Sequence, residues 1–352
     1  MPKINWIHAK PINFLNVEKH LHKSIQTNQL TNYGPVTIKL EQLIREKLQI
    51  ESDRSVIVTC NGAAALHALA AGLCLSTGKK LTFATQAFTF PSAAQGFLDN
   101  SQIVDIDSGG GLDLNLVDSN TVDGIIVTNV FGMCTDIQKY VDWCDKHSKF
   151  LLFDNATGPF TFYHGKNINS YGTGSIISLH HTKPIGFAEG GAIIVEKRFE
   201  SYIRKCINFG FEVNDGKVKW SPFGSNYKMS EISAACLYEY IFTNFDLIIK
   251  HNQNLIQLLQ DRLKDVEGVE LYPNFSDSEP VVSCIPVLFS KPINEKHMYQ
   301  LELNGICVRK YYTPLKDFEK SASLFERILC FPCNLDVDSN TIELYIDLIK
   351  QL

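Results

Sequence analysis

Residues 175–195 read SIISLHHTKPIGFAEGGAIIV. Two apolar, β-branched runs, Ser175–Leu179 and Ala192–Val195, flank a turn with two histidines, a lysine, a carboxylate and paired glycines. Short apolar runs bounded by turn residues predict buried strands. Lys183 therefore stands just past a strand end, among apolar neighbours. It is either a surface lysine or an amine nucleophile, and the surrounding sequence decides between the two.

Runs of the same kind alternate with helical patterns from residue 55 to 196. Ser55–Cys60 precedes the helical AAALHALAAGL, Gln102–Asp107 follows, and Gly124–Val130 precedes the amphipathic DIQKYVDWCDKH. Phe150–Asn155 comes next, ahead of the opening stretch. This alternation predicts an α/β fold with a mostly parallel central sheet flanked by helices. In such sheets ligands gather beyond the carboxyl ends of the strands. A long helical region runs from about Ser230 to Val266, and then the pattern changes. Glu279–Ser290, a helix near Glu295–Asn304, a strand Ile306–Tyr312 and a last helix Ser339–Leu352 predict a smaller C-terminal α+β domain. The expected division is a large domain over 1–240, including the N-terminal segment, and a small one over 241–352.

The chain has 352 residues, 45% of them apolar, enough to bury a sizeable core. Its net charge is −5, with no run of five like charges, which gives no electrostatic footprint for nucleic acid. No apolar stretch is expected to span a bilayer, and the N-terminus lacks an apolar signal core. The ten cysteines have no repeating spacing and read as reduced thiols of a cytoplasmic protein. The one CxxC, Cys330–Cys333, has no second pair to complete a zinc site. His180 and His181 are neighbours on an expected strand, so their rings point to opposite faces and cannot readily chelate one ion. No metal is expected.

Three strand ends carry candidate chemistry. Asn61-Gly62-Ala63-Ala64 forms a strand-to-helix turn of small residues. Backbone N–H groups there can approach an anion, helped by the helix dipole, although a tight turn without ligand has the same sequence. Asp154 ends another strand, where it can face a protonated nitrogen or simply shape a turn. Gln86-Ala87-Phe88-Thr89-Phe90-Pro91 offers an aromatic that can stack on a flat ring or pack in the core. An anion-binding turn, a carboxylate, an aromatic and a lysine are together the parts list for pyridoxal phosphate. The lysine forms a Schiff base with the aldehyde, and the carboxylate keeps the pyridine nitrogen protonated.

The chain resembles the DegT/DnrJ/EryC1/StrS sugar aminotransferases, a PLP-dependent family of fold type I, over nearly its whole length. Leu30-Thr31-Asn32-Tyr33-Gly34-Pro35 is similar to the family's N-terminal "TGP" segment. Asn61–His67 resembles "SGTAALH", Ala87–Phe90 "AFTF", and Asp154-Asn155-Ala156 "DAAQ". Ser178–Lys183 with Glu189-Gly190-Gly191 resembles "SFHpTK…GEGG", and Gly224–Glu231 resembles "GyNYRMsE". Tyr311–Leu315 is similar to "Y.PLH".

The resemblance implies roles. Lys183 would be the Schiff-base lysine and proton shuttle. Asp154 would pair with the ring nitrogen, and Phe90 would stack on the ring. Gly62, Ala63 and Ser178 would hold the phosphate, with Thr157 beside the cofactor. Asn226 would reach the phosphate in the neighbouring subunit of a homodimer. Tyr33, His180 and Tyr312 are candidates for substrate contact. Four positions depart from the pattern: Ala63 for Thr, Thr157 for Gln, Asn155 for Ala and Lys316 for His.

The implied activity is amino transfer from an amino acid, glutamate by family habit, to a nucleotide-linked keto-deoxysugar. The product would be an amino sugar for surface glycans such as lipopolysaccharide O-antigen. Two alternatives are a sugar 3-dehydratase of the same family and a cofactor-binding regulator without turnover. The dehydratases carry histidine in place of the lysine, so Lys183 argues against the first, and intact Lys183 and Asp154 argue against the second.

Overall fold

The computed structural model describes residues 3–134, 136–273 and 278–352. Helices α1 (Phe14–Gln26) and α2 (Pro35–Lys47) precede strand β1 (Arg54–Thr59). Then come α3 (Gly62–Thr77), β2 (Phe83–Gln86), β3 (Gln102–Val104), β4 (Gly124–Thr128), α4 (Ile137–His147) and β5 (Phe150–Asp154). A short hairpin, β6 (Phe162–Tyr163) and β7 (Lys166–Asn167), leads to β8 (Gly174–Ser178), β9 (Gly191–Glu196) and α5 (Glu200–Ile207). A second hairpin, β10 (Phe211–Asn214) and β11 (Lys217–Trp220), precedes the long helix α6 (Glu231–Leu263). The chain closes with β12 (Val269–Leu271), β13 (Ser278–Glu279), β14 (Ile285–Phe289), α7 (Glu295–Leu303), α8 (Glu319–Arg327), β15 (Ile328–Phe331) and α9 (Ser339–Ile349).

The central sheet has seven strands in the order β1-β9-β8-β5-β4-β2-β3. The strands from β8 to β3 in that order are parallel, and β9 runs antiparallel to both its neighbours. Strands β1, β2, β4 and β8 are buried at every residue, which is why they read as continuous apolar runs rather than alternating ones. Ile57, Ile176, Ile193 and Val195 pack on α3 and α5, while Val56, Val58, Ile177 and Ile194 pack on α2 and α6. Helix α3 is apolar all round because it is covered on all sides. Its Asn61 cap accepts from Ala64 N at 2.8 Å, and Gly78 closes it at φ +74°. Glu231 lies fully buried at the start of α6 and accepts from Val36 N at 2.7 Å and Thr37 N at 2.9 Å, so it caps α2 from a distance.

The smaller sheet, β12-β14-β15, is antiparallel and packs with α6, α7 and α9 around Leu259, Val287, Phe331 and Tyr345. Ile4 pairs with Ile306, so the N-terminal segment is tied to this second core. Helix α6 serves both cores: Ala234 to Ile248 belong to the first and Leu255 to Leu263 to the second.

Two expectations are corrected. Ile306–Tyr312 joins no ladder: it meets the small sheet only at an isolated bridge from Arg309 to Cys330 of β15, and Ile306 bridges Ile4 of the N-terminal segment instead. Among the described residues one helix, Glu231–Leu263, is long enough to cross a bilayer and contains an 18-residue stretch apolar enough to do so, with a mean hydropathy of 1.3. Its apolar character is accounted for by the two cores it fills.

Candidate active site

The strands β1, β2, β4, β5 and β8 all end at one edge of the sheet, and the β8–β9 connection hangs from that edge. A cavity of about 500 Å³ opens there. Nine of the eleven expected site residues line it: Gly62, Ala63, Phe90, Asp154, Thr157, Ser178, His180, Lys183 and Tyr312. Tyr33 and Asn226 lie outside it. The Tyr33 ring sits under the Arg204 guanidinium, 5.0 Å from ring centroid to carbon. Asn226 is exposed and bridged to Asn208.

Asp154 is the last residue of β5 and is 2% exposed. Its Oδ1 accepts from Ala156 N at 3.0 Å, and its other oxygen has no hydrogen-bond partner among the described residues. Burial pushes this carboxyl up, against the Ala156 N–H and the Lys183 charge, which pull it down. Burial likewise pushes the Lys183 amine down. That amine also has no hydrogen-bond partner among the described residues. One carboxylate oxygen and one amine thus line the same cavity with no protein partner among the described residues, free to meet a ligand there.

The turn between β1 and α3 offers unused donors. Asn61 caps Ala64 N, and the N–H groups of Gly62 and Ala63 donate to nothing among the described residues. Ser178 lies against this turn, and a Cβ placed on Gly62 would come within 3.1 Å of the Ser178 Cβ. On Gly191 a Cβ would meet Asn61 O at 2.4 Å, so the start of β9 passes under the turn only because it has no side chain.

Phe90 projects into the cavity mouth, 57% exposed. Thr157 is buried and its hydroxyl donates to Asn129 O at 3.1 Å. Tyr312 stacks on Phe131 and meets Phe88 edge-on, and burial raises its phenol well above the usual range, so it stays neutral. His180 and His181 lie beyond the end of β8, in the turn, and not on the strand as expected. Nδ1 of His180 accepts from Thr182 N at 3.2 Å, which leaves Nε2 facing Glu189 Oε1 at 3.5 Å. The His181 Nδ1 accepts from Ala188 N at 3.3 Å, so the two rings serve different partners. No cluster of three His, Cys, Asp or Glu side chains is placed to hold a metal among the described residues.

Lining residues that the sequence reading did not assign to the site include Trp6, Thr128, Ser283, Cys284, Arg309 and Tyr311. Arg309 donates to Tyr311 Oη at 2.9 Å and stacks 4.8 Å from the Trp6 ring. Tyr311 fell within the Tyr311–Leu315 motif, and Arg309 stands in the basic-aromatic run VRKYY. Trp6 reaches the cavity through docking of the N-terminal segment, which no local pattern encodes.

The DegT/DnrJ/EryC1/StrS aminotransferase family matches residues 15–347. The chain belongs to this family. It is 24% identical to dTDP-4-amino-4,6-dideoxy-D-glucose transaminase of Shigella dysenteriae, over 93% of each chain. It is 24% identical to GDP-perosamine synthase of Vibrio cholerae, over 70% of this chain and 68% of that one. Among solved structures, the Helicobacter pylori aminotransferase PseC, of pseudaminic acid biosynthesis, superposes with a TM-score of 0.82 at 17% identity, over 99% of this chain and 98% of that one. The protein is accordingly a PLP-dependent aminotransferase with the fold expected from its strand pattern. Its cavity fits that cofactor: free N–H donors for a phosphate, an unsatisfied carboxylate oxygen for a cationic nitrogen, and an unsatisfied amine for an aldehyde.

Asp154 has its pKa raised on folding, so the folded apoprotein binds more protons than the unfolded chain in the acid range. Apoprotein stability therefore falls as pH rises through the carboxylate range. Cofactor-free Asp154→Asn should melt above cofactor-free wild type at neutral pH, with the gap closing toward pH 4, measured by calorimetry. A wild-type apoprotein that is the more stable at neutral pH would show the carboxylate to be satisfied by the protein alone.

Proposed function

We propose that the protein transfers an amino group from glutamate to the ketone of a nucleotide-linked keto-deoxysugar, as a cytoplasmic homodimer. The amino sugar would serve surface glycans, including lipopolysaccharide O-antigen. The observation that carries the reading is the pairing of an amine, Lys183, and a carboxylate, Asp154, at one cavity on the carboxyl edge of the sheet. The sugar substrate is supported by the relatives, which are named for dTDP- and GDP-linked sugars.

When bound, pyridoxal phosphate supplies a carbon that exchanges the amino group and a ring that withdraws electrons. The Gly62 and Ala63 N–H groups and the Ser178 hydroxyl would hold its phosphate, with the N-terminal field of α3 adding to the attraction. Asp154 would hold the proton on the ring nitrogen, and Phe90 would lie against the ring. Lys183 would carry the mobile proton to and from the reacting carbon. That task needs a neutral amine at working pH, and burial biases Lys183 toward it. His180 and Tyr312 border the space left for the sugar. A panel of nucleotide-linked 3-keto and 4-keto sugars, each offered with glutamate, tests the substrate class. No product from any of them would reject it.

Shared sites are supported by the surface. Phe209, Phe211, Val213 and Trp220 are exposed on and beside the β10–β11 hairpin, near Asn226, which lies outside its own chain's cavity. Apolar exposure of this kind marks a face that another chain covers. Lys183→Ala and Asn226→Asp chains would each spoil one half of a site. In a mixed dimer both lesions can fall on one site and leave the other intact. An equal mixture should recover roughly a quarter of wild-type activity once subunits have exchanged. No recovery, with exchange verified, would assign Asn226 to its own chain's cofactor.

A further inference from the structure

Lys10 is 9% exposed, and its ammonium points at the turn that carries Lys183. Nζ donates to Lys183 O at 2.6 Å, Gly186 O at 2.7 Å and Pro184 O at 3.4 Å. Three donors meet three carbonyls of one turn, while the Tyr240 ring lies 5.1 Å away on another side. The turn is also tight upon itself. Lys183 N donates to His180 O at 2.8 Å, Gly186 N donates to Lys183 O at 3.0 Å, and a Cβ on Gly186 would fall 1.9 Å from His180 O. Lys10 does not line the active-site cavity. The hollow on its own side, bordered by Trp6, His8, Lys183 and His251, has a volume of about 20 Å³, room for one water and no substrate.

The segment around Lys10 is held at both ends. Ile4 bridges Ile306, and Asn334 Nδ2 donates to Asn5 O at 3.0 Å. Beyond Lys10, Asn16 and His20 of α1 both bind Glu239 of α6, at 2.9 and 3.0 Å. A strap fixed at both ends thus presents the Lys10 amine, whose pKa burial lowers to about 7, to three carbonyls under Lys183 that favour its charged form.

We infer that Lys10 is a positioning residue, whose ammonium fixes the 183–186 carbonyls and so sets the direction in which the Lys183 side chain leaves the backbone. Lys10 touches neither substrate nor cofactor in this role and acts only through the lysine turn. The inference rests on the proposed role of Lys183. Loss of the ammonium leaves three inward carbonyls without their shared donor, and the turn relaxes to find others.

The test is a double-mutant cycle on cofactor binding. Pyridoxal phosphate is titrated into four apoproteins: wild type, Lys10→Met, Lys183→Ala and the double variant. The readouts are the dissociation constant and the fraction of cofactor that borohydride fixes onto the Lys183 peptide. Lys10→Met should weaken binding about tenfold and lower the fixed fraction when Lys183 is present, on the scale of one charge-assisted hydrogen bond. In the Lys183→Ala background the same change should alter affinity less than about twofold, since no lysine is left to aim. Equal weakening in both backgrounds would reduce Lys10 to a general structural role, and no weakening in either would remove the role altogether. If Lys10→Met does not fold, Lys10→Gln, which keeps two N–H donors, takes its place in the same cycle. A borohydride label on another lysine in the wild type would instead sink the assignment of Lys183, a failure separate from that of Lys10.

Discussion

Lys183→Ala should lower transamination by about 10⁴-fold or more, because one change removes both the nucleophilic amine and the group that moves the proton. The residue lines the cavity, its amine has no hydrogen-bond partner among the described residues, and burial holds its pKa down. Both features suit an amine that must be neutral to react. The loss should fall on the rate of each half-reaction, followed by stopped-flow absorbance with a single turnover of glutamate. The variant should still bind pyridoxal phosphate through the turn at Gly62 and through Asp154. In the wild type, borohydride should fix the cofactor on the peptide that contains Lys183. Retention of even a tenth of the wild-type rate would show that another group carries the proton.

Asp154→Asn should cost at least ~10²-fold in rate, on the order of 3 kcal/mol of transition-state stabilisation. The amide keeps the shape and the Oδ1 contact to Ala156 N, so the strand end should survive. What it loses is the charge that holds a proton on the ring nitrogen. The defect should appear in kcat more than in cofactor affinity. A rate near wild type would make Asp154 a turn residue and nothing more. The same substitution is expected to stabilise the cofactor-free protein at neutral pH, and the two opposite effects together would mark a carboxylate kept for chemistry at a cost to the fold.

Much of the architecture was legible because the central strands are covered on both faces. Runs such as Gly124–Thr128 and Gly174–Ser178 have no polar face to present, so they stand out as unbroken apolar segments. Asp154 and Ser178 were legible for a related reason: each is the first polar side chain after such a run, and it falls where the sheet edge opens on the cavity. The small sheet was harder. Ile306–Tyr312 has strand composition, but strand composition records only fitness for a half-buried surface, and the segment meets β15 only at an isolated bridge. The β10–β11 hairpin went unread although Asp215-Gly216 lies between alternating residues, a strong turn signal. Trp6 and Lys10 were beyond reach for a different reason. Each acts through contacts with residues far away in the chain, and no local period carries that information.

The helix α6 has a mechanical consequence. Its 33 residues form a rod on the order of 50 Å long, seated in one core at its start and in the other at its end. Asp154 comes from the central sheet and Tyr312 from the segment beside β15, and both line the same cavity. A jaw-like closure of the two bodies would have to bend this rod or tear one end from its seat. The helix therefore opposes such a closure, while the exposed ring of Phe90 at the cavity can move without disturbing either seat.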